Sequence, residues 1–150
     1  MTIQEFITNH NGNVDCLEIR KYIPIEEKLD WINSVLNELI VCDGRITATY
    51  NTVTLEAMRV ISIISLYTNL EVNNLTDYDI LVENNLIDVI YYSIGDDMLN
   101  YNQYFDDRKE DYIREKNSID GILGRTLGEI VKLLESIDPK TLVEMLGSLQ

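Results

Sequence analysis

Residues 55–69, LEAMRVISIISLYTN, constrain this chain more than any other stretch. Leu55, Met58, Val60, Ile61, Ile63, Ile64, Leu66 and Tyr67 fall on every side of a 3.6-residue helix and leave almost no polar face. Such a helix must be enclosed by other elements, which makes it the buried centre of a helical bundle. Its longest apolar run, around Val60–Leu66, is broken by Ser62 and Ser65. That is far short of the roughly 20 apolar residues that span a bilayer. Thr54 is the expected cap, and Ile61 and Ile64 are the expected core.

The flanking sequence supplies the enclosure. Thr2 followed by Glu5 is a capping-box pattern for a short helix over Thr2–Asn9, and His10–Asn13 reads as a turn. Asp15–Ile23 is ambiguous, with Leu17, Ile19 and Ile23 suggesting an extended lead into Pro24. Proline suits a helix start because its missing N–H costs nothing there. Ile25, Leu29, Ile32, Leu36, Leu39 and Ile40 then recur at helical spacing, with Trp31 and Val35 widening the stripe, until Asp43-Gly44. Arg45–Val53 is rich in Thr, Ile, Tyr and Val and predicts a minor β-hairpin near 45–53. Thr76 is expected to cap a helix over Asp77–Glu83, and Asn84-Asn85 to separate it from another over Leu86–Ile94 that ends at Gly95. Asp96–Lys116 predicts one helix, or two divided near Asp106-Asp107. Ser118 begins a stronger helix carrying Ile119, Leu123, Leu127, Ile130, Leu134 and Ile137. Asp138-Pro139 breaks it before a last helix with Leu142, Val143, Leu146 and Leu149. The expected fold is a mainly all-α, irregular bundle of five to seven helices. At 150 residues it forms a single domain over 1–150.

The chemistry-bearing residues are sparse. His10 has no histidine partner, so a His-based triad or a helix-borne zinc site lacks its ligands. Cys16 and Cys42 have no C-x-x-C spacing and read as reduced, small buried side chains. Asp77-Tyr78-Asp79 with Glu83 resembles a calcium loop but lacks the glycine at the sixth position, and its glutamate falls too early. These acids suit helix capping better. Asp96-Asp97 and Asp106-Asp107 read as a solvated acidic face rather than a cation site. No glycine-rich phosphate loop is present. The expectation is therefore no catalytic residue, no metal and no cofactor. The residues MTIQEFITNH lack a basic region followed by an apolar run, so no signal peptide is expected.

The formal charge is −14 with a sequence pI near 4.3. Residues 1–75 carry ten acids against five bases, and residues 76–150 carry sixteen against seven. A field of this sign repels phosphate backbones and anionic membranes. It either keeps the chain soluble or favours partners with basic surfaces. Two sets of residues could form a protein interface. Gly121, Gly124 and Gly128 share one helix face, and each costs roughly 1 kcal/mol of helix stability relative to alanine. Close packing of a helix there, from this chain or another, would offset that cost. Tyr101, Tyr104 and Phe105 lie beside Asp106 and Asp107, an arrangement that suits either an aromatic contact with a charged rim or the margin of the core.

Arg20-Lys21-Tyr22-Ile23-Pro24 with Glu27-Lys28, Leu66-Tyr67-Thr68-Asn69-Leu70-Glu71, Tyr78-Asp79-Ile80-Leu81 and Asn85-Leu86-Ile87-Asp88 follow in order. Over about residues 20–95 this order resembles small, acidic, helical proteins of tailed bacteriophages of low-GC bacteria. Its motifs are structural punctuation, so no functional residue carries over. The resemblance implies a phage origin and a place in the virion or its assembly pathway. The expected function is thus a non-enzymatic structural or assembly protein, a head, connector or tail-assembly component. It would contact other protein subunits in a larger assembly or homo-oligomer, in the host cytoplasm during assembly and in the virion. The alternatives are an acidic DNA mimic that inhibits a host defence nuclease, or a cytosolic enzyme with an unrecognised site.

Overall fold

The computed structural model describes residues 1–42 and 47–136. Among them the chain forms seven α-helices and one 3-10 turn, with no β-sheet. Helix α1 (Ile3–His10) starts from the expected capping box. Thr2 Oγ1 accepts the Glu5 N–H at 3.3 Å, and the Glu5 carboxylate accepts the Thr2 N–H at 2.9 Å. The Thr2 N–H and hydroxyl hold the Glu5 carboxyl below its ordinary range. A 3-10 turn (Val14–Cys16) follows, and an extended segment then makes one antiparallel bridge, Ile19 to Thr68.

Helix α2 (Ile25–Leu39) begins directly after Pro24. Its inward face differs from the expected stripe. Ile32, Val35 and Leu36 are buried, but so is Lys28, while Ile25 and Trp31 are exposed. Asp43-Gly44, the expected end of this helix, lies outside the described residues, and α2 ends earlier, at Leu39. The expected hairpin near 45–53 reduces, in its described part, to one bridge between Val41 and Thr49.

Helix α3 (Thr52–Tyr67) is the predicted centre. Leu55, Ile61, Ile63, Ile64, Leu66 and Tyr67 are buried, and α2, α4, α5 and α6 all pack on it. Its cap is Asn51 rather than Thr54. Asn51 Oδ1 accepts the Thr54 N–H at 3.1 Å, so Thr54 already lies in the first turn. Helix α4 (Leu75–Glu83) repeats the correction, with Asn74 in place of Thr76 as the cap of the Asp77 N–H. In both cases the Asn side chain reaches a donor three residues on, so the helix starts earlier than expected. Asn85, left-handed at φ 54°, separates α4 from α5 (Leu86–Ile94). Gly95 ends α5 at φ 89°, where a side chain would be strained.

Helix α6 (Asp97–Asn117) runs unbroken through Asp106-Asp107. Tyr101, Phe105 and Tyr112 form one buried stripe along it, and the Asp106 charge is met by Arg59 and Lys109. Helix α7 (Ile119–Ser136) leaves the end of α6 across Ser118. The expected break at Asp138-Pro139 and the last helix beyond it lie outside the described residues. The buried cluster draws on every helix from α1 to α6 and on none of α7.

Candidate protein interface

The two expected interface sets lie on successive helices and are treated differently by the fold. Of the aromatic set on α6, Tyr101 and Phe105 are fully enclosed and offer no area to a partner. The Tyr101 ring stands edge-on to Tyr67 at 6.4 Å and beside Phe105 at 6.4 Å. Its hydroxyl pairs with Ser62 Oγ at 2.7 Å, and burial pushes its pKa up to about 12. These two residues belong to the core, which corrects their expected place on the surface. The steps of four from Tyr101 to Phe105 and seven from Phe105 to Tyr112 are the signal that would have identified them as one inward stripe. Tyr104 is half-buried, and Lys28 Nζ lies over its ring, 5.8 Å from the centroid. Asp106 and Asp107 are exposed.

Beneath this stripe lies a polar cluster that the sequence reading missed. Lys28 Nζ, 3% exposed, meets Asp97 Oδ1 at 2.8 Å. Asp97 Oδ2 also accepts the Ile23 N–H at 3.0 Å and the Tyr67 hydroxyl at 2.8 Å. Burial alone would raise the Asp97 carboxyl, but the Lys28, Ile23 and Tyr67 donors outweigh it and hold the group below its ordinary value. Burial and the neighbouring Asp97 push the Tyr67 phenol far up. Lys28 stands four residues before Ile32 and eight before Leu36, on the same face. Reading α2 from that face inward would have exposed a lysine in need of a buried acid. The cluster ties the segment before α2 to α2, α3 and the start of α6. With every member held by another, its role is to fix the packing of these elements.

Helix α7 is the opposite case. Ser118 Oγ accepts the Gly121 N–H at 3.0 Å and caps it, while Arg125 Nη1 donates to the Lys116 carbonyl at 2.6 Å and holds α7 to the end of α6. A Cβ on Gly121 would come within 2.4 Å of the Glu115 carbonyl oxygen, so the tight α6–α7 junction requires glycine there. Gly124 and Gly128 have no described atom within 4 Å of where a Cβ would sit. Beyond Gly121, the helix packing expected on this glycine face is therefore absent among the described residues. At 3.6 residues per turn Gly121 and Gly128 lie roughly opposite the aliphatic side chains, while Gly124 sits at their margin beside Val131. Those side chains, Ile119, Leu123, Leu127, Ile130, Val131, Leu133 and Leu134, are all exposed, from 47% to 77%. Helix α6 is the one substantial neighbour of α7 among the described elements.

The remaining candidates are isolated. His10 is exposed in the last turn of α1, and Cys16 is exposed and Cys42 half-buried, not enclosed as expected. Asp77 accepts the Asn73 N–H at 2.9 Å and so helps shape the start of α4. Among the described residues no group of three or more His, Cys, Asp or Glu could hold a metal ion, and no helix is long and apolar enough to cross a membrane. The acids of α6 alternate with bases: Arg108 pairs with Glu115, Lys109 with Asp106 and Arg114 with Asp111. No protein-family model matches the chain, and no curated protein or solved structure does.

Proposed function

We propose that this chain is a non-enzymatic bacteriophage structural or assembly protein that works through contacts with other protein subunits. The observation that carries this reading is α7, an 18-residue helix with seven large aliphatic side chains exposed and none buried. Together they expose on the order of 700 Å² of apolar surface, above the roughly 300–600 Å² of the largest patch on a typical monomer. Patches of that size belong to interaction sites. The resemblance over about residues 20–95 supplies the phage setting. The interleaved acids and bases of α6 suit the rim of a mixed protein contact better than a phosphate-like ladder.

The test is to look for the chain in density-gradient-purified phage particles and in their assembly intermediates. It should co-purify with one of these, and Leu127→Asp combined with Leu134→Asp should remove it. Recovery only in the free fraction, with tight and strongly salt-dependent binding to a nuclease, would replace this reading with DNA mimicry.

A further inference from the structure

We infer that the aliphatic stripe of α7 packs against α7 of a second copy of this chain; the inference rests on the assembly reading above and names its partner. Ile119, Leu123, Thr126, Ile130 and Leu133 are separated by alternating steps of four and three residues. That is the seam spacing with which helices of separate chains interlock. Thr126, the one polar member, donates its hydroxyl to the Ile122 carbonyl of its own helix at 3.0 Å. It can therefore be covered without losing a hydrogen bond. Leu127 and Leu134 lie along one side of the seam and broaden it to the pattern of a helix facing a bundle core. Gly128 lies on the outer side, away from the contact, while Gly124 borders the stripe beside Val131.

Seam spacing and area favour a second copy, and the charge of α7 does not oppose it. Residues 119–136 carry three acids, Asp120, Glu129 and Glu135, and two bases, Arg125 and Lys132. That leaves one net negative charge on α7 in a chain of −14, so two apposed copies of α7 add little repulsion of their own. The exposed stripe of about 700 Å² approaches the roughly 800 Å² that each partner buries in a standard interface. The Ser118 cap and the Arg125–Lys116 contact already fix α7 to α6, which lowers the ordering cost of association. A basic partner, which the acidic surface would otherwise suggest, finds only three acids on this helix, interspersed with two bases.

Sedimentation velocity of the full-length chain across a concentration series tests this. The wild type should associate. Leu127→Asp with Leu134→Asp should weaken association by at least about tenfold and leave the circular dichroism of the monomer unchanged, because α7 buries no side chain. Gly128→Ala, on the outer face where a Cβ meets no neighbour, should associate like the wild type. An oligomer indifferent to the paired aspartates would overturn the inference. So would a monomeric wild type whose α7 amides are protected from exchange, which would assign the stripe to residues 137–150 of the same chain. A monomeric wild type with unprotected α7 overturns it as well. If such a monomer still enters particles, self-association fails and the assembly reading stands; an oligomer never found in particles gives the reverse.

Discussion

Helices α3 and α7 are similar in length and both rich in aliphatic side chains, yet one is enclosed and the other bare. Around α3 the apolar residues cover every side, and four helices of the same chain pack on it. Along α7 they occupy one broad stripe, with Gly121, Gly128, Arg125 and Lys132 on the other side, and α6 touches only its beginning through Arg125 and the Ser118 junction. The difference shows that apolar content sets how much surface a helix must bury. The breadth of its apolar arc governs whether that burial must come from within the chain. A helix with a polar face can wait for a partner, whereas one without cannot.

The sharpest way to break the enclosed side of this comparison is to open the polar cluster that clamps α6 over α3. Asp97→Ala leaves Lys28 buried without its partner and should cost about 3–5 kcal/mol in denaturant unfolding. A loss under about 1 kcal/mol would mean that water reaches the lysine and that the clamp is loose. Next in size is a matched pair of truncations. Ile64→Ala should cost about 2–5 kcal/mol. Leu127→Ala, measured in the dilute monomer, should stay within about 0.5 kcal/mol. Equal costs at the two positions would erase the distinction between the helices.

A smaller effect concerns pH. Asp97 has its carboxyl held below the ordinary aspartate value of about 3.9 in the folded chain. Its contribution is therefore complete above that value and is lost as pH falls from there through the depressed folded value. Thermal midpoints should decline over that acid range, and Asp97→Asn should flatten the decline. An unchanged slope in the variant would assign acid sensitivity to other carboxylates.

The same contrast explains what the sequence made legible. The all-α bundle, the capping box at Thr2 and Glu5, the burial of Ile61 and Ile64 and the stop at Gly95 each follow from local rules, and each is present in the fold. The caps at Asn51 and Asn74 were displaced by a few residues because Asn, Thr and Ser compete for the same role within one turn. The interface residues were harder. Tyr101 and Phe105 stand among aspartates, and composition suggested a surface, whereas their spacing put them inside. The acids are reconciled with that core by bases from α3 and α6, and Arg59 cannot be matched with Asp106 without knowing that α3 and α6 are neighbours. The burial of Lys28 could be read from its spacing with Ile32 and Leu36, but its partner could not, since Asp97 lies 69 residues away. The stripe on α7 was visible as a stripe. Its exposure was not, because periodicity shows which face is apolar and not what covers it.

Amide hydrogen exchange of the dilute monomer, resolved by helix, tests the central contrast most directly. Amides in the middle of α3 should exchange only through global unfolding, and those of α7 through local opening at much lower free energy. On raising the concentration, protection should grow in α7 and stay constant in α3. Equal protection of the two helices in the monomer, with no change on concentration, would contradict the account.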